Sequence, residues 1–163
     1  MYLENSKTII VKIGSSLIID DKKIIRKKWL LEFAKDIKAL RKKNKNIIIV
    51  SSGAIALGCK KLNITKKKLK IDQSQAVASV GQIELMNLFK EVFAIQKINI
   101  SQILLTLEDT EIRRRAINAK RTIENLFNLN FIPIVNENDT IATSEIKYGD
   151  NDRLASRVAQ ISD

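Results

Sequence analysis

Ile47-Ile48-Ile49-Val50-Ser51-Ser52-Gly53-Ala54 is the stretch whose reading decides the fold. Four consecutive β-branched residues form a short continuous apolar run. A strand with one wet face would alternate instead, so this one reads as a central strand. The run breaks at once into two serines and a glycine, and a short helix is expected over Ala54–Cys59. Strand, small-residue turn and helix together make the repeating unit of a parallel α/β sheet.

Upstream, Lys27–Lys43 places Leu30, Leu31, Phe33, Ala34, Ile37 and Leu40 at helical spacing and reads as an amphipathic helix. Asn44–Asn46 punctuates it. Thr8–Ile13 is β-branched and apolar apart from Lys12, and reads as a buried strand. Downstream, Lys60–Lys70 is lysine-rich and expected to loop over the surface. Ser74–Ile95 has helical character with Ser74 as N-cap. Its interior glycine, Gly81, costs about 1 kcal/mol relative to alanine, which favours a role in close packing.

Ser101–Leu105 is a third strand, Glu111–Leu129 a third long helix, and Phe131–Val135 a fourth strand. Pro133 lies inside that strand and argues weakly against a central position. Thr140–Lys147 alternates loosely and suggests a hairpin arm before a turn at Tyr148–Gly149. Asn151–Ile161 begins another helix, capped by Asp150 or Asn151.

Helix-length connections between strands imply parallel pairing and right-handed crossovers. The fold class is therefore α/β: an open, mostly parallel sheet with helices on both faces, an αβα sandwich. There is no internal repeat and no low-complexity linker. The chain stops after a helix, where an alternating fold expects another strand. Residues 1–163 thus read as the N-terminal portion of a longer domain.

Composition narrows the chemistry. The chain has 163 residues, 45% of them hydrophobic, which is enough for one domain with its own core. Aromatics are only 5%, so aliphatic side chains must fill that core. The net charge is +11, but the lysines are scattered and no aromatics are interleaved as a base-stacking surface needs, so a nucleic-acid partner is not expected. With one cysteine, Cys59, and no histidine, an internal disulfide, a Cys/His zinc site and a histidine triad are all excluded. No apolar run approaches a membrane span and Met1–Lys7 lacks a signal-peptide core, so a soluble, cytoplasmic protein is expected.

Three polar clusters directly follow strands: Gly14-Ser15-Ser16, Ser51-Ser52-Gly53 and Asn136-Glu137-Asn138-Asp139. In open α/β sheets, ligands bind beyond the carboxyl ends of the strands, and parallel strands would bring all three clusters to one edge. Gly14 would let the backbone approach a phosphate, with serine hydroxyls as added donors, although a plain strand-to-helix turn uses the same residues. Lys12 is costly within a buried strand unless it meets an anion or reaches water; the alternative is an edge strand with one solvated face. Ser52 at a helix N-terminus either caps that helix or leaves free N–H groups for an anion. Asp150-Asn151-Asp152 holds more polar groups than one cap requires.

These residues resemble the amino acid kinase family. Ile10-Val11-Lys12-Ile13-Gly14-Ser15-Ser16 looks like its opening strand and phosphate loop. Several further stretches resemble the glutamate 5-kinase branch of that family. They are Val50-Ser51-Ser52-Gly53-Ala54-Ile55-Ala56 with Gly58, Val80-Gly81-Gln82, Leu104-Leu105-Thr106 and Asn118-Ala119. The most specific is Val135-Asn136-Glu137-Asn138-Asp139-Thr140, followed by Glu145-Ile146-Lys147 and Gly149-Asp150-Asn151-Asp152.

The resemblance implies transfer of the γ-phosphoryl group of ATP to the side-chain carboxylate of L-glutamate, the first step toward proline. It implies that Lys12 stabilises the transferring group and that Gly14 and Ser15 form the loop beneath it. Ser52, Asp139 and Asn151 would bind glutamate with Asn136 nearby, and Asp152 would orient the catalytic lysines. Mg²⁺ is expected to arrive with the nucleotide, with no dedicated metal site in the protein. A homo-oligomer and feedback inhibition by proline are further expectations. The family has another half, which holds the nucleotide base, a second lysine and a glycine-rich stretch, and many members add an RNA-binding-type domain. Residues 1–163 match none of these. The alternatives are another carboxylate kinase of the same fold and a non-catalytic fragment that binds glutamate.

Overall fold

The computed structural model describes residues 2–65, 69–142 and 150–162. Four strands, β1 (Thr8–Ile13), β2 (Asn46–Ser51), β3 (Asn99–Leu105) and β4 (Phe131–Glu137), form one sheet in the order β1-β2-β4-β3. Every pairing is parallel, with Thr8 opposite Asn46, Ile49 opposite Ile134 and Asn99 opposite Phe131.

The Ile47–Val50 run is the centre of the molecule. Ile47 and Ile49 belong to one apolar cluster, Ile48 and Val50 to another, and none is more than 2% exposed. The first cluster is filled by α3 (Lys27–Lys42), α4 (Ala54–Lys61) and α5 (Ile71–Ile95), chiefly through Leu30, Ile37, Leu57, Leu85, Phe89 and Phe93. The second is filled by α7 (Arg113–Asn128) and α8 (Asp150–Ser162), through Ala119, Ile123, Leu154 and Val158. Alternate side chains of β2 therefore meet helices on opposite faces, which is why its apolar run is unbroken. Burying each such side chain stabilises the fold by about 1.5–3 kcal/mol.

Several expectations need correction. Among the described residues β1 is an edge strand, the alternative given for Lys12, and Lys12 on it is exposed rather than buried. β4 is central despite Pro133. The cost is contained because pairing with β2 covers only Ile134 and Val135, directly after the proline, while β3 runs alongside all of β4. That strand also continues through Asn136 and Glu137, both buried, so only Asn138 and Asp139 of the polar run leave the sheet. β3 begins two residues early, at Asn99.

Helix ends shift for local reasons. α5 starts at Ile71, where the Lys70 N–H donates to Gln73 Oε1 at 3.0 Å, so Ser74 is inside the helix and not its cap. The third long helix is split. Thr106 and Asp109 cap each other and start α6 (Leu107–Glu111), Ile112 is extended with ψ 110°, and α7 follows. α8 includes Asp150 and Asn151 in its first turn. Two short helices, α1 (Tyr2–Asn5) and α2 (Ser15–Ile18), had no counterpart in the sequence reading. The suggested hairpin arm falls mainly on residues 143–149, outside the described residues; Ile141 and Ala142 ahead of them donate to the Asn138 carbonyl.

Gly81 serves close packing, as expected. A Cβ there would fall 1.7 Å from the Ala54 carbonyl oxygen. Its counterpart is Gly58 on α4, where a Cβ would fall 2.1 Å from the Val77 carbonyl oxygen. Two glycines thus let α4 and α5 cross with their backbones in contact. No helix among the described residues is long and apolar enough to cross a membrane.

A candidate active site at the carboxyl edge of the sheet

Parallel strands end on one side, so the residues after β1, β2 and β4 share an edge. The strand order makes these three strands neighbours. The edge is closed from both faces, by the first turn of α8 on one and by α5 on the other.

Lys12 is near the end of β1, on the α8 side of the strand. Its Nζ is 2.9 Å from Asp152 Oδ1, with the two side chains 32% and 62% exposed. An ion pair this open contributes little to stability. Its consequence is positional: the Asp152 carboxylate holds the ammonium at the strand end. A Cβ at Gly14 would lie 3.8 Å from Lys12 Nζ and 4.0 Å from Ser16 Oγ, ordinary contacts, and its φ of −73° suits any residue. Glycine is not demanded there by the backbone; it leaves the space beside the ammonium open. Ser15 is exposed in the first turn of α2.

Ser52 follows β2, and its N–H donates to the Ile13 carbonyl at 2.9 Å, tying the turn to the end of β1. Ser52 does not cap α4. Gly53 occupies that position, left-handed at φ 115°, and makes no side-chain cap bond. The Ser52 hydroxyl is thereby released to accept from Asn151 Nδ2 at 2.8 Å. Among the described residues, Asn151 Oδ1 is buried without a partner. A buried acceptor left in this state costs about 1–3 kcal/mol, and it is a natural partner for an ammonium or hydroxyl group.

Asn136 is 2% exposed near the end of β4, on the opposite face. Its Nδ2 donates to Gln82 Oε1 of α5 at 2.7 Å. Gln82 Nε2 is likewise buried with no partner among the described residues. Asp139 is half-buried in the turn that follows. The expected residues therefore fall into two groups. Lys12, Asp152, Ser52 and Asn151 meet under α8, while Asn136 engages α5. Gln82 lies in the Val80-Gly81-Gln82 stretch that carries the resemblance, yet the sequence assigns it no site role, because its partner Asn136 is 54 residues further along the chain. Among the described residues, no group of three or more acidic, cysteine or histidine side chains could hold a metal ion.

A doubly covered parallel sheet with convergent polar groups at its carboxyl edge defines an open α/β domain. More particularly, the chain belongs to the amino acid kinase family, whose model matches residues 7–162. It is 80% identical over 162 residues to the glutamate 5-kinase of Pelagibacter ubique, covering 99% of this chain and 44% of that protein. It is 50% identical to the glutamate 5-kinase of a Ruegeria species, covering 96% of this chain and 43% of that one. The chain thus spans less than half the length of these relatives. Among solved structures, it superposes on Giardia carbamate kinase with a TM-score of 0.62 at 13% identity, covering 96% of this chain and 69% of the other. The isopentenyl phosphate kinase of T. acidophilum superposes with a TM-score of 0.55 at 11% identity, covering 91% of this chain and 63% of the other. At such identities, the likeness concerns the fold alone.

Proposed function

We propose that this chain supplies the acceptor side of a glutamate 5-kinase, which phosphorylates the side-chain carboxylate of L-glutamate with ATP. The observation that carries this is the first turn of α8. There Asn151 bonds Ser52 and Asp152 pairs with Lys12, so one turn joins the proposed substrate group to the proposed phosphoryl group. The relatives' names supply the substrate class.

In this mechanism, a glutamate carboxylate oxygen attacks the γ-phosphorus, a new P–O bond forms, and the bond to the bridging oxygen breaks. ADP leaves with that electron pair, and the product is an acyl phosphate. The nucleophile is already ionised, so no general base is needed and a chain without histidine suffices. Lys12 stabilises charge on the transferring group, and Asp152 holds Lys12 in place. The Gly14-Ser15 turn lies under the phosphoryl group. Ser52, Asn136, Asp139 and Asn151 hold glutamate, with acceptors among them suited to its ammonium. Mg²⁺ enters on the nucleotide phosphates. Inhibition by proline, a homo-oligomer and a cytoplasmic location belong to the same proposal.

The test is acyl-phosphate formation, trapped as the hydroxamate, with MgATP and L-glutamate, for the native chain and for Lys12→Ala. Glutamate-dependent product that disappears in the variant supports the kinase. Saturable glutamate binding without product supports the second reading, a glutamate-binding portion of a longer enzyme. That alternative is favoured by the 44% coverage of the closely similar relative. Neither product nor binding overturns both.

A further inference from the structure

We infer that Gln82 and Gln75, both on α5, are positioning residues that hold the substrate segment 136–142 in register. The inference rests on the glutamate reading above. α5 otherwise packs as a core helix, with Val77, Ala78, Leu85, Phe89, Val92 and Phe93 buried. Gln82 and Gln75 interrupt that role. They lie two helical turns apart on one face, separated along the axis by about 10 Å. Gln82 Oε1 accepts from Asn136 Nδ2 at 2.7 Å, and Gln75 Nε2 donates to the Ala142 carbonyl at 3.0 Å. One helix therefore grips both ends of the segment that carries Asp139.

The grip at Gln82 is rigid for a reason independent of these bonds. Gly81 beside it presses on the backbone of α4, with the Ala54 carbonyl and the Gly58 nitrogen both within reach of a single added carbon. Ala54 follows the Ser52-Gly53 turn directly. The position of Gln82 is thus set relative to Ser52 by backbone contact and relative to Asn136 by a hydrogen bond. Because Gln82 takes the Asn136 amide nitrogen, it decides which end of that amide faces away from α5. The amide oxygen, an acceptor, is the end left for a substrate. One of the two amide N–H groups is used in this bond, and the oxygen stays an acceptor suited to a cationic group such as an α-ammonium.

The experiment is L-glutamate binding by calorimetry to the full chain, for wild type, Gln82→Met, Asn136→Ala, the double variant and Gln75→Leu, with melting temperatures alongside. Methionine keeps the length of the side chain without its hydrogen bonds. The expected results are about tenfold weaker binding for Gln82→Met, and a double variant no weaker than Asn136→Ala alone. Gln75→Leu should weaken binding by a smaller factor. Replacing L-glutamate with glutarate, which lacks the ammonium, should erase the difference between wild type and Gln82→Met. Unchanged binding in Gln82→Met, or additive losses in the double variant, would overturn the inference. If wild type itself binds no glutamate, it is the functional reading that fails.

Discussion

Asn151 on α8 and Ser52 after β2, 99 residues apart in the chain, share a hydrogen bond of 2.8 Å. The bond exists because Gly53, not Ser52, caps α4. A serine relieved of capping has its hydroxyl available, and the first turn of the last helix is where that hydroxyl is used.

This pair makes a measurable unit. Ser52→Ala and Asn151→Ala should each weaken L-glutamate binding about tenfold, and the double variant should fall well short of the product of the two losses. Calorimetric titration of the four proteins checks it. Fully multiplicative losses would mean that the two side chains act separately.

Lys12 and Asp152 should separate activity from stability. Lys12→Ala is expected to lower turnover on the order of a hundredfold or more, as loss of a charge-stabilising donor does. Asp152→Asn should lower turnover and leave the melting temperature unchanged, because the ion pair is open to water. A matching drop in melting temperature would make the pair a structural one.

Gly81→Ala should destabilise the fold even though alanine favours helices. The propensity gain is about 1 kcal/mol. Against it, the new methyl would meet the Ala54 carbonyl at 1.7 Å, a backbone obstacle that no side-chain rotation relieves. Overpacking costs about 1–3 kcal/mol in cores that yield, and more where they do not. A net loss of about 2 kcal/mol lowers the melting temperature by about 4–8 °C in a domain of this size. A rise in melting temperature would show that α4 and α5 move apart easily.

Acid stability should register Asp109. Burial alone would raise its pKa, but the Thr106 N–H, the Thr106 hydroxyl and Arg115 together outweigh burial and lower it. A lowered folded-state value means that ionised Asp109 stabilises the fold above the unfolded value of about 4. That contribution is lost as the pH falls through the lower folded value. Asp109→Asn should therefore reduce stability at neutral pH and flatten the acid limb below about pH 4. Denaturant titrations at pH 3 and pH 7 check both; an equal loss at the two values would assign the effect to helix capping alone.

Much of this architecture was legible in short-range pattern. The unbroken Ile47–Val50 run meant burial on both faces, and both faces of β2 are covered. Three polar clusters at strand ends meant one edge, and the parallel strands put them there, although Ser51, Asn136 and Glu137 still belong to the sheet. Lys12 read differently: its strand looked buried because its neighbours are β-branched, yet β1 is at the sheet edge, and residue type alone does not distinguish an edge from a centre. Pro133 misled in the opposite direction. Its missing N–H matters only where a neighbouring strand would use it, and β2 pairs only beyond it.

By itself, the sequence determined the alternation of strands and helices, the apolar faces and the residues at the strand ends, because these depend on spacing along the chain. Tertiary structure alone decided that β4 inserts between β2 and β3, that Gly53 frees Ser52 for Asn151, and that Gln82 holds Asn136. Those choices join residues far apart in the chain. They depend on where crossovers set whole elements side by side, a relation that local periodicity does not encode.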